Sequence, residues 1–146
     1  MTFLKGMVKV TENQKIVQQW FDFIEAGDAE AAFALFAEDI VYDLKGTTPV
    51  SGVYTGLDNI VSEFFVPWRK QIDGELVVHV SELIGEGERV VALGKGTART
   101  VFAKDYNNDY CFVFTVQGGK ICRVEEYLDT ALIETAAYGK TLKDPE

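Results

Sequence analysis

The chain has 146 residues, with 23 acidic against 14 basic side chains, a net charge of −9, and 47% hydrophobic residues. That length makes one domain, large enough to bury roughly 70% of its unfolded surface. Its acid excess repels a phosphate backbone, so neither a nucleic acid nor an anionic membrane is an expected partner.

The longest apolar run, Ala31 to Ala37, is far below the ~20 residues of a membrane span. Residues 1–10 read as an N-terminal extension. Lys5 and Lys9 occur there without an apolar core or a small-residue cleavage site, which points to a cytoplasmic protein. Cys111 and Cys122 flank a Gly118-Gly119 turn. On paired strands they stand out of register, so two free core thiols are expected rather than a disulfide.

Thr11-Glu12-Asn13-Gln14 is a capping box, and Ile16, Val17, Trp20, Phe21 and Ile24 follow at helical spacing up to Gly27. Asp28 caps a second helix whose buried candidates are Ala32, Phe33, Leu35 and Phe36. Ile40 to Leu44 alternates like a short strand, and Gly46 to Gly52 reads as loop. A third helix starts near Gly56 with Ile60, Phe64 and Phe65 on its face. Pro67 is expected to kink or break it.

From Leu76 the period changes to two. Strands are expected at 76–84, 89–101, 109–117 and 120–129, separated by Gly85-Glu86-Gly87, Lys104 to Asn108 and Gln117-Gly118-Gly119. A short helix, Thr130 to Tyr138, closes the chain before a loose tail, 139–146. Helices and strands segregate, so the class is α+β: a curved antiparallel or mixed sheet around three N-terminal helices, making a cone with an internal pocket. Gly94, Gly96 and Ala98 share one face of the long strand. Small residues there either permit a bend or clear room for a ligand.

The only histidine is His79, and no Cys/His set has zinc spacing. Neither a phosphate-binding glycine loop nor a nucleophile elbow is present. No metal or other cofactor is implied. Carboxylates, tyrosines and tryptophans around an apolar cone remain, which suits proton transfer or plain ligand binding.

Three segments carry a family resemblance. They are Trp20-Phe21 through Gly27-Asp28 to Leu35-Phe36-Ala37-Glu38-Asp39; Tyr54-Thr55-Gly56 to Phe64-Phe65; and Asn108 to Phe114 with Gly118-Gly119-Lys120-Ile121 and Glu126-Tyr127-Leu128-Asp129-Thr130. Together they resemble the SnoaL-like and ketosteroid-isomerase-related branch of the nuclear-transport-factor-2-like superfamily, over about residues 12 to 138, as a single domain at 11–138. The resemblance implies a cone of three helices and a strongly curved sheet around a pocket, commonly in a homodimer.

The resemblance also assigns functional positions. The Tyr-x-Asp that closes the last strand gives Tyr127 and Asp129, the aspartate facing the pocket as acid or base. Tyr42 matches a first-strand tyrosine that, in the epoxide hydrolases, helps to hold the attacking water. Other positions depart from the relatives. The hydrolase asparagine falls on Leu44, its Arg-x-Asp pair has only Arg99 followed by Val101, and the isomerase tyrosine, base and oxyanion aspartate fall on Trp20, Leu44 and near Tyr110.

If a three-residue Gln117-Gly118-Gly119 loop joins the last two strands, Asp109 lies opposite Tyr127 and diagonal to Asp129 on one face. Two such carboxylates in an apolar cone would push at least one pKa up. The other reading of Asp129 is a cap for the helix at Thr130. Trp20, Phe65, Trp68, Arg99, Cys111, Val113 and Tyr127 complete the candidate pocket lining, and Glu125-Glu126 reads as half solvated face, half polar network.

Two functions fit. One is a cofactor-independent acid/base enzyme acting on a small hydrophobic carbonyl or epoxide-type substrate, with Asp129 moving the proton and Tyr42 bonding the oxygen. It would be an isomerase, or cyclase-like or hydrolase-like. The other is a non-catalytic ligand-binding or dimeric interaction module. A cavity of about 300 Å³ or more favours the first and a cone plugged by its own aromatics the second.

Overall fold

The structure is a computed structural model that describes residues 10–146, so the expected N-terminal extension lies, but for Val10, outside the described residues. Helix α1 (Glu12–Glu25) starts on the expected capping box: Thr11 Oγ1 accepts from the Gln14 N–H at 3.1 Å, and Gln14 Oε1 accepts from the Thr11 N–H at 2.8 Å. Its Val17, Trp20 and Phe21 are buried. Asp28 caps α2 (Ala29–Phe33) through the Ala31 N–H. This helix is shorter than its apolar pattern suggests. Phe36 is buried by opening strand β1 (Phe36–Leu44), not by closing the helix.

A short strand β2 (Gly52–Thr55) follows, in a stretch whose sequence carries no clear alternation. The third helix opens as α3 (Leu57–Asn59), passes through a π-helical stretch (Ile60–Phe65) and ends as α4 (Val66–Arg69). Pro67 does not break it. The Val66 N–H already reaches back to the Val61 carbonyl, and this wider ring leaves room for a residue that lacks an N–H and crowds the preceding turn.

Strands β3 (Ile72–Glu86), β4 (Arg89–Thr100), β5 (Asp109–Gln117) and β6 (Lys120–Leu128) form the meander. The chain then closes with α5 (Thr130–Leu132) and a π-helical turn (Ile133–Ala137). Residues 139–146 have no regular secondary structure, and Lys140 is tied to Glu134 by its backbone and by an ion pair.

The six strands form one curved, unclosed sheet in the order β2-β1-β6-β5-β4-β3. Only the β1–β6 pair is parallel, so the sheet is mixed. Irregularities in the β3–β4 register, between Asp73 and Val77 and between Val80 and Glu82, help it bend. The α+β cone expected from the sequence is the fold observed. No helix among the described residues is long and apolar enough to cross a membrane.

The β5–β6 turn corrects the expected register. Gly118 and Gly119 both take positive φ, 57° and 79°, as a two-residue hairpin requires. Gln117 therefore faces Lys120, and after a bulge at Thr115/Val116 Cys111 faces Tyr127. The inner face carries Tyr110, Phe112, Phe114, Val124 and Glu126, all buried. The outer face carries Asp109, Cys111, Val113, Glu125 and Tyr127. It holds a run of ion pairs, Lys45–Asp43 at 2.7 Å, Arg123–Glu125 at 3.1 Å and Arg89–Glu125 at 3.5 Å. Cys111 and Cys122 are half-buried free thiols, not core ones.

Candidate functional site: a buried carboxyl in an aromatic cavity

Between the inner face of the sheet and the helices lies a cavity of about 700 Å³. Leu44, Tyr110, Phe112 and Glu126 line it from the sheet, and Trp20, Phe64, Phe65 and Trp68 line it from the helices. Its exposed lining residues include Glu25, Arg69, Lys70 and Glu75 and mark the opening between the end of α1 and the α4–β3 junction. Inside, the lining is apolar and aromatic except for one carboxyl and a few phenols.

That carboxyl is Glu126, on β6 and 7% exposed. In the parallel β1–β6 pair Leu44 stands beside Glu126 and Tyr42 beside Val124. Tyr42 therefore lies two residues back on the same face. Its hydroxyl donates to Glu126 Oε1 at 2.5 Å. Burial raises the Glu126 pKa and the Tyr42 bond lowers it. Burial wins, and the carboxyl is pushed up to about 7. Burial and then the facing carboxylate hold the Tyr42 phenol well above its usual 10, so it stays a proton donor.

A second polar group lines the same cavity. Tyr106 and Tyr110 neighbour each other, and burial raises both phenols. Asn108, 1% exposed, donates from Nδ2 to the Tyr106 oxygen at 3.0 Å. The same amide spans the Asp129 backbone, accepting its N–H and donating to its carbonyl, both at 3.0 Å. Gly96 makes room for this group, since a Cβ there would stand 2.7 Å from Cε2 of Tyr110. The small-residue face of β4 thus seats an aromatic wall of the cavity.

The sequence-derived candidates divide by face. Tyr42, Trp20, Leu44, Phe65 and Trp68 line the cavity. Asp129 does not. It is the N-cap of α5, its Oδ1 accepting from the Leu132 N–H at 3.2 Å. Asp109 stands on the outer face, 79% exposed, and pairs with Lys95 at 3.3 Å. Arg99 is also outside, bound to Asp105 at 2.8 Å. Cys111 and Val113 share the outer face with them, as does Tyr127, which lies under Lys45 at 5.4 Å. Asp109, Tyr127 and Asp129 share strand parity as expected, but that parity is the outer one.

Glu126 is the residue that sequence reasoning did not place in the pocket. Its signal was present: at spacing two, Val124, Glu126 and Leu128 put a carboxylate in line with apolar residues. Exposed His79 faces Lys95 across the β3–β4 pair, away from this site. Among the described residues, no three His, Cys, Asp or Glu side chains are grouped as a metal site would need.

The family model for the SnoaL-like domain matches residues 17–124 of the chain. No curated protein matches it. Solved structures match it over nearly their whole length. An NTF2-like protein of unknown function from Burkholderia pseudomallei K96243 is 20% identical, with TM-score 0.80 over 88% of this chain and 98% of that one. TerC, co-crystallised with polyporic acid, is 20% identical, with TM-score 0.78 over 88% and 99%. A protein from Jannaschia sp. CCS1 assigned as a SnoaL-like polyketide cyclase is 15% identical, with TM-score 0.77 over 93% and 100%. At these identities the three structures establish the fold alone.

Proposed function

Since the chain belongs to the SnoaL-like domain family of the NTF2-like superfamily, we propose that its cavity takes a small, uncharged, hydrophobic carbonyl or epoxide-type compound and that Glu126 exchanges a proton with it. The observation that carries this reading is a single buried carboxyl, held by Tyr42, in an otherwise apolar cavity, where removal from water pushes it up to about 7. A carboxyl poised there is shared between its two forms at neutral pH and can both take and return a proton.

With a carbonyl compound, the Glu126 carboxylate takes a proton from the carbon beside the carbonyl. The C–H electron pair moves to the carbonyl oxygen as an enolate, and the protonated Glu126 then delivers its proton to another carbon or to a new alkoxide. The outcome is isomerisation or ring closure, without a co-reactant. With an epoxide, Glu126 takes a proton from the attacking water as the ring C–O bond breaks, and the protonated Glu126 then returns it to the alkoxide left on the former ring oxygen, which gives a diol. Tyr42 keeps the carboxyl oriented by its hydrogen bond. Glu126 thereby takes the role that the family resemblance gave to Asp129.

A cavity of this size supports an external ligand over a cone filled by its own side chains. Co-crystallisation of TerC, which has the same fold, with polyporic acid fits a small-molecule occupant. The homodimer implied by the resemblance belongs to the same proposal, and sedimentation showing only a 16.3 kDa species at micromolar concentration would remove it.

The deciding measurement is a carbon-13 NMR titration of the carboxyl groups, with Glu126→Gln to assign the signal. A midpoint near 7 is expected. A midpoint near the ordinary glutamate value of 4.5 overturns the acid/base reading and leaves a binding module.

A further inference from the structure

We infer that the buried phenols Tyr106 and Tyr110, the first held by Asn108, present a phenolic proton to an acceptor oxygen of the ligand. The cavity therefore selects compounds bearing a carbonyl or similar oxygen at that wall. This rests on the proposal that the cavity is the ligand site, and it adds a recognition group distinct from Glu126 and Tyr42.

The argument is a count of donors and acceptors. An amide side chain can usually be turned over without changing its shape, so which end faces a neighbour is open. Here it is closed. The Asp129 N–H can only donate and its carbonyl can only accept, so Asn108 must turn Oδ1 to the first and Nδ2 to the second. Nδ2 is then also the atom that meets Tyr106, and the Tyr106 oxygen must accept. It cannot place its own proton on Asn108.

Tyr106 and Tyr110 have two phenolic protons between them, and the one bond made at either hydroxyl among the described residues is the one that Tyr106 accepts from Asn108. Neither proton is donated to a protein group among the described residues, and Glu126 accepts from Tyr42. Both phenols are buried and line the cavity. A buried hydroxyl proton without a partner costs free energy that a ligand oxygen would recover. Asn108 is thus a positioning residue. It touches no ligand, but its fixed orientation decides which way the phenolic protons run.

The probe is 2-acetylnaphthalene labelled with carbon-13 at its carbonyl, a flat neutral ketone whose C=O stretch falls when it accepts a hydrogen bond. In the wild-type protein the bound band is expected at lower wavenumber than in hexane. Asn108→Asp keeps both phenols but replaces the donor by an acceptor. Tyr106 then donates to residue 108 and Tyr110 to Tyr106, and no proton is left for the ketone. The band should return toward its hexane position and affinity should fall roughly fivefold. The Tyr106→Phe, Tyr110→Phe double variant should do the same by removing both donors, and it decides the matter if Asn108→Asp does not fold.

An unshifted band in the wild-type protein overturns the inference, as does failure of the ketone to bind saturably. A shift that survives the double variant but disappears in Tyr42→Phe overturns it too, since the donor is then Tyr42. Glu126 titrating near 7 in that same sample leaves the proposed function standing.

Discussion

Tyr42 and Glu126 lie 84 positions apart in the chain, yet their side chains meet at 2.5 Å because β1 and β6 are the one parallel pair in the sheet. The hydrogen bond and the burial of the pair pull the Glu126 carboxyl in opposite directions. Its raised pKa records that removal from water outweighs a single donor.

That balance makes stability depend on pH. The Glu126 pKa is about 7 in the folded protein against an ordinary 4.5. Over that window the folded state keeps a proton that the unfolded state has lost. The stabilisation from the neutral carboxyl is complete below about 4.5 and is lost as pH rises through about 7, about 3 kcal/mol in all. Glu126→Gln should lack this decline. Urea unfolding of both proteins at pH 4.5 and pH 8 checks it: the wild type should lose about 3 kcal/mol relative to the variant. Parallel curves would show that Glu126 is not desolvated.

Tyr42→Phe removes the donor that lowers the Glu126 pKa. The titration midpoint should move upward from about 7, and stability at neutral pH should fall by about 1–2 kcal/mol. The same NMR titration reads the shift. A midpoint that stays or falls would mean that water replaces the phenol or that the bond does not act on the carboxyl.

Gly96→Ala tests the seating of the Tyr110 ring. A Cβ at Gly96 would stand 2.7 Å from the ring edge, and that ring is stacked on Phe112 at 5.2 Å. The ring must shift into the cavity, at about 1–3 kcal/mol. Thermal unfolding should show the loss, and ketone binding should weaken with it. An alanine variant as stable as the wild type would show that the ring yields freely.

Asp129→Ala should cost about 1 kcal/mol by removing the cap of α5, while Asp129→Asn, which can still cap, should cost far less. Asp109→Ala removes only an exposed pair with Lys95 and should fall within about 0.5 kcal/mol of the wild type. Neither Asp129→Asn nor Asp109→Ala should move the Glu126 titration. Chemical denaturation and NMR on these variants separate surface and capping roles from the cavity.

Much of this protein is written locally and was therefore legible in the chain. The Thr11 capping box, the Asp28 cap, the apolar face through Trp20 and Phe21 and the switch to period two near Leu76 depend on neighbours a few residues away. They were enough for the α+β cone, and Trp20, Tyr42, Leu44, Phe65 and Trp68 all line its cavity. The face on which a β6 side chain stands is not local in this sense. Alternation states that Val124, Glu126 and Leu128 go together and that Tyr127 and Asp129 go together. Only docking against the helices decides which set is inside. The two-residue Gly118-Gly119 turn sets the pairing, and the parallel contact with β1 brings Tyr42 within reach. The carboxyl that matters is thus selected by burial, because desolvation depends on everything packed around Glu126 and on nothing adjacent to it in the chain.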